Sequence, residues 1–172
     1  MGKEKLKQIL FGEDIPVYVI LDGASVPDLP TRLYEMPLPN VCLYRGELEP
    51  DVAEVAPYLV NLVPDATFTD WLLTEGWGKH WGIFAHCLCT LTEMRKHFRS
   101  FLTVHDENGT PLLFRYYDPR VLNRFLPTCN SPELEKMFGT ITKYFAESEE
   151  TRNLSVFRFE NGKLEQSQIE VD

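Results

Sequence analysis

Phe114-Arg115-Tyr116-Tyr117-Asp118-Pro119-Arg120-Val121-Leu122 is the stretch on which the reading of the fold turns. An apolar run, Leu112-Leu113-Phe114, leads into it, and Val121-Leu122 followed by Phe125-Leu126 leaves it at helical spacing. Pro119 suits the first turn of that helix, where its missing N–H costs nothing, and Asp118 before it is a good N-cap. The block therefore reads as strand, cap, helix. A cap does not require two arginines and two tyrosines around one junction. Arg115 and Arg120 either pair with Asp118 and brace the corner, or present planar guanidinium forks to the carboxylates of a partner.

Outward from this block the chain alternates between strand and helix patterns. Val17-Tyr18-Val19-Ile20-Leu21 is a continuous apolar run closed by Asp22-Gly23, as expected of a buried strand entering a turn. Val41-Cys42-Leu43-Tyr44, Tyr58 to Leu62 and Trp81 to Ala85 read as further strands, with helices over Leu29–Met36, Pro50–Ala56 and Phe68–Glu75 between them. Thr90-Leu91-Thr92-Glu93 is a capping box, and Leu91, Met94, Phe98 and Leu102 mark the inner face of the helix it opens. Arg95, Lys96 and Arg99 fall on its outer face. Asn108-Gly109 between two apolar runs predicts a hairpin. Ser131-Pro132-Glu133 predicts a helix with Ser131 as its cap, and Glu160-Asn161-Gly162 a closing hairpin. The fold class expected is α/β: a mixed sheet with flanking helices and a small C-terminal helix-plus-hairpin extension. Residues 1–16 form a tail or short helix, 17–127 the core, and 128–172 the C-terminal lobe.

With 172 residues, 44% of them hydrophobic, the chain can bury a real core. Its net charge of −9 argues against a general nucleic-acid binder, which needs a cationic face. The charge is uneven. From Asp28 to Glu75 nine acids face two bases, whereas from Lys79 to Arg124 seven bases face four acids. Opposite potentials on two parts of one domain suit docking to another protein. No apolar run reaches the length of a signal-peptide core or a membrane span. Four cysteines, none in a Cys-x-x-Cys pair, predict no disulfide framework, so a reducing cytoplasm is expected.

Catalytic signals are sparse. Asp22 sits where α/β enzymes place catalytic acids, yet no glycine-rich phosphate loop and no Gly-x-Ser-x-Gly elbow accompanies it. It reads first as a turn and capping residue. His86-Cys87-Leu88-Cys89, with His80 nearby, offers metal-ligating atoms but lacks the second knuckle of a structural zinc site. A nucleophilic pair built on Cys87, Cys89 or Cys129 with a histidine remains open at this level, as does a hydrolytic site joining such a group to Asp22. Trp71, Trp77 and Trp81 bracket a Gly-Lys-His loop and are either core or an exposed anchor.

Several of these pieces together resemble the type VI secretion adaptor/chaperone family, a domain of unknown function encoded beside VgrG spike and toxin genes. Tyr18-Val19-Ile20-Leu21-Asp22-Gly23-Ala24 is similar to its opening strand, and Pro57-Tyr58-Leu59-Val60 to its third element. Leu91, His97-Phe98-Arg99 and Leu102-Thr103-Val104 fit its helix-then-strand segment, and Leu113 to Leu122 resembles its block of arginine, two aromatics and Asp-Pro-Arg. The resemblance runs from Val17 to Phe138. It implies a non-enzymatic protein, with no cofactor or metal, that binds a cognate secreted effector in the cytoplasm and helps load it onto the VgrG spike. Neither nucleic acid nor membrane is among the implied partners. Arg115, Tyr117, Asp118 and Arg120 carry the hallmark, and Arg95, Lys96 and Arg99 with Arg120 form a basic ridge. These seven residues are the candidate partner-binding set.

Overall fold

Val17–Asp22 (β1) is buried along its whole length because both faces of the sheet it belongs to are covered. The computed structural model describes residues 2–149 and 152–171. Gly2–Phe11 (α1) precedes β1, and Leu29–Glu35 (α2), Asn40–Cys42 (β2), Pro50–Val55 (α3), Pro57–Leu62 (β3) and Thr67–Glu75 (α4) follow it. The chain continues through Gly82–His86 (β4), Leu91–Arg99 (α5), the hairpin Thr103–His105 (β5) and Pro111–Leu113 (β6), and Pro119–Phe125 (α6). Ser131–Phe138 (α7), Lys143–Glu147 (β7), Asn153–Glu160 (β8) and Lys163–Glu170 (β9) complete it.

Seven strands form one sheet in the order β2-β3-β1-β4-β7-β8-β9. The α/β class with flanking helices and a C-terminal hairpin is as the sequence implies. The sheet is nevertheless antiparallel at every pairing rather than mixed. A continuous apolar strand normally belongs to a parallel sheet covered on both faces; here helices on both faces give an antiparallel sheet the same need. Tyr18 and Ile20 point to one side, where Met94 and Phe98 of α5, Leu122 of α6 and Met137 and Phe138 of α7 close the core. Val17, Val19 and Leu21 point to the other, under Leu6 and Leu10 of α1, Leu29 and Leu33 of α2 and Phe68 and Leu72 of α4. Alternation of the strand thus feeds two cores from one run of residues.

The ends of the chain are drawn into this frame. Lys3 pairs with Asp70 and Lys7 with Asp65, tying α1 to the start and preceding loop of α4. β7 pairs with β4 and β8 and β9 follow, so the strands beyond residue 128 extend the main sheet edge-on while α7 covers one face. The cap of α7 is Asn130, one residue before the expected Ser131. Its side chain accepts the Glu133 N–H while the Glu133 carboxylate accepts the Asn130 N–H. The hairpin β5–β6 stands apart as its own two-stranded sheet, and none of its strand residues is buried.

Candidate functional site

The corner that carries Arg115 to Arg120 sits against the end of β1. Asp22, 2% exposed, accepts the Ala24 N–H at 3.1 Å and the Ser25 hydroxyl at 2.9 Å. Its remaining valence goes to the Arg115 guanidinium, which forms an ion pair with it across ninety-three residues of sequence. Asp118 caps α6 by accepting the Arg120 N–H at 2.9 Å, and the Arg120 side chain returns as a fork, Nε at 3.0 Å and Nη2 at 2.8 Å. This charge-assisted fork outweighs burial and holds the Asp118 carboxyl below the usual range. So each arginine has its own carboxylate: Arg120 braces the cap, and Arg115 staples the block to β1.

Between them the two tyrosines are covered. Tyr116 is fully buried and donates its hydroxyl proton to the Phe98 carbonyl at 2.9 Å. Tyr117 is 1% exposed, and burial first, then the neighbouring Tyr44 and Asp22, push its phenol well above the usual value. Tyr117 was expected among the partner contacts; in this fold its ring packs in the core. Asp118 is likewise buried, and its carboxylate faces Arg120.

The expected basic ridge divides. Arg99 turns inward, its Nε donating to the Leu43 carbonyl and its Nη2 to those of Cys42 and Tyr44. It thereby closes the edge of the sheet beyond β2. Arg95 is half-exposed and Lys96 exposed on α5. Among the described residues no carboxylate pairs with either, nor with Arg45 on the adjoining loop. Burial and the positive charges of Arg95 and Arg45 lower the Arg99 pKa, which puts the three guanidinium groups in one field. Arg45 was not among the sequence candidates; a lone arginine among acids at 47, 49 and 51 gives no signal until the fold brings α5 beside it.

The groups considered for chemistry are distributed differently. His86 pairs across the ladder with Val17, at the opposite end of β1 from Asp22. That separation is about 17 Å at the ~3.4 Å rise per residue of an antiparallel strand. His86 is fully buried, and its Nε2–H donates to the Leu10 carbonyl at 2.8 Å. Burial lowers its pKa. Cys87 and Cys89 are joined in a disulfide with their Cα atoms 5.2 Å apart, where the sequence was read as free thiols. The chain bends just after β4 ends at His86, which brings the two Cα atoms closer than they would lie on an extended strand. No three His, Cys, Asp or Glu residues converge as a metal site among the described residues. Trp81 is buried and Trp71 packs against it at 5.3 Å between ring centres.

One pair escaped the sequence reading. Glu147, at the end of β7, is 7% exposed and accepts the His80 backbone N–H at 3.0 Å, with His80 Nδ1 3.1 Å from the same oxygen. Burial raises its pKa to about 7 despite the hydrogen bonds. A carboxyl with a folded value above its usual 4.5 contributes most stability when protonated and loses it as pH rises through about 7. Glu147→Gln removes that dependence. Urea unfolding at intervals from pH 5 to pH 8 should therefore show the wild type losing up to ~3 kcal/mol relative to the variant. Parallel profiles for the two proteins would refute the assignment.

The fold and the braced corner define an α/β domain built on one seven-stranded antiparallel sheet with a separate two-stranded hairpin. The chain belongs to the DUF4123 family, described as a domain of unknown function, whose model matches residues 17–136. That family is associated with type VI secretion adaptors. The match covers β1 through most of α7, including the whole Arg115–Arg120 block. No curated protein and no solved structure matches the chain.

Proposed function

We propose that this protein is a non-enzymatic adaptor that binds a cognate type VI effector in the cytoplasm and brings it to the VgrG spike. Membership of the family over residues 17–136 is the observation that carries this reading. The disposition of charge supports it. The buried carboxylates of the corner, Asp22 and Asp118, are engaged by Arg115 and Arg120, while Arg95 and Lys96 are left for a partner. No helix of the described residues is long and apolar enough to cross a membrane. A hydrolytic site around Asp22 has less support, because the fold carries His86 and Cys87 to the far end of the strand.

The test is a pull-down of the tagged protein from the native host's cytoplasm, with partners identified by mass spectrometry. A VgrG-type spike and a toxin should co-purify. Lys96→Glu should reduce recovery of one of them without changing the melting temperature, since Lys96 is exposed on α5. Arg120→Glu is the contrasting variant: it sets a second carboxylate beside Asp118 and should lower stability by about 2 kcal/mol or more. Recovery of neither partner by a well-folded bait would overturn the adaptor reading.

A further inference from the structure

We propose that the groove between the loop after β2 and the root of the β5–β6 hairpin binds an acidic, amphipathic segment of a protein partner. The inference rests on the adaptor reading for the kind of partner, and adds the surface and its chemistry. The groove encloses about 640 Å³. Leu43, Leu48, Leu102 and Leu113 supply apolar wall, and Arg45 and Arg99 supply charge. Among the described residues no carboxylate lines it.

Two further observations point to an occupant. The hairpin that forms one side turns Leu113, 54% exposed, to the groove, with the Val104–Leu112 pair on its other face. A two-stranded hairpin in water is marginal alone, so apolar side chains on such an arm are stabilised when something covers them. The cations, meanwhile, lack anionic partners. Arg99 is held in place by three carbonyl groups, whereas Arg45 is exposed and Arg95 half-exposed, with no carboxylate paired to either among the described residues.

Charge and apolarity together select the partner. A small inorganic anion would leave the leucines uncovered. A nucleic acid would approach a chain of net charge −9 against repulsion. A segment with carboxylates on one side and aliphatic groups on the other meets both features, giving Arg45 and Arg95 their counter-ions and burying the open parts of Leu48 and Leu113. The same field repels a basic segment, which makes the groove selective.

The probe is a labelled synthetic helical peptide with leucine on one face and glutamate on the other, titrated against the full chain by fluorescence anisotropy. Its counterpart carries lysine in place of glutamate. The glutamate peptide should bind saturably and the lysine peptide should not. The double reversal Arg45→Glu/Arg95→Glu should weaken the glutamate peptide about tenfold or more and flatten its salt dependence. Should the double variant fail to fold, Leu113→Asp at the exposed wall must produce the same loss. Equal binding of the two peptides, no binding by the wild type, or unchanged affinity in a folded variant overturns the proposal. A wild type that sediments as a dimer, and becomes monomeric on the same reversal, assigns the groove to a second copy and also overturns it. If the pull-down recovers spike and toxin while the peptide fails, the groove falls and the adaptor stands. If the peptide binds as expected while the pull-down recovers neither, the adaptor reading alone falls.

Discussion

Asp22→Ala is expected to destabilise the protein by about 3 kcal/mol, at the lower end of the range for breaking a buried ion pair because the surviving arginine is half-exposed. The substitution leaves the Ala24 N–H and the Ser25 hydroxyl without their acceptor and strips Arg115 of its counter-ion. Arg115 is 44% exposed at its side chain, so water rescues it in part. Arg115→Ala should therefore cost about half as much, although it strands the more buried partner, because Asp22 keeps its two local donors. Urea unfolding of the wild type, the two single variants and the double variant closes a mutant cycle. A coupling energy of about 1 kcal/mol or more is expected, and a value near zero would show that the pair does not hold the block to β1.

Gly82→Ala is expected to be at least as damaging, about 3 kcal/mol or more, by a different mechanism. Gly82 begins β4 and lies opposite Leu21 of β1. A Cβ there would fall on the Ile20 carbonyl oxygen, with the Ile20 carbonyl carbon at 3.0 Å and the Leu21 Cα at 3.1 Å. All three atoms are backbone of β1, which is paired on its other side to β3. Relief would have to break one ladder or shift two. Gly109→Ala is the control: its φ of 78° strains any side chain, yet nothing lies within 4 Å of the added carbon. It should cost only about 1 kcal/mol. Chemical unfolding of both variants measures the contrast, and equal losses would mean that close approach of β1 and β4 is not what Gly82 supplies.

What sequence reading captured and missed follows the range of each interaction. The Thr90 capping box is present as read, with the Glu93 N–H donated to the Thr90 hydroxyl and the Glu93 carboxylate accepting the Thr90 N–H, because all its atoms lie within four residues. The Asp118 cap and its Pro119 are equally local. So is the hairpin around Asn108-Gly109, where Asp106 accepts two backbone N–H groups and Gly109 takes the left-handed conformation. Arg115 is the contrary case. Asp118 stands three residues away and looks like its partner, but the strand-to-helix corner points the guanidinium at Asp22, and Arg120 takes the fork. Arg99 was read as an outward cation; only the proximity of α5 to the end of β2 gives it three carbonyl acceptors.

By itself the sequence determined most of the elements and the caps of α5 and α6, though not β7 or the Asn130 cap of α7, together with the buried character of β1 and the alternation that places helices around one sheet. These depend on local periodicity, turn chemistry and burial, which neighbouring residues encode. Tertiary structure alone decided that every strand pairs antiparallel, that residues beyond 128 extend the sheet, and that the arginines of the hallmark block brace the fold. It alone brought Arg45 and Arg99 into the lining of one groove, with Arg95 in the same field. Such outcomes rest on pairings between distant segments, whose geometry is fixed by packing and by the direction in which each corner sends the chain.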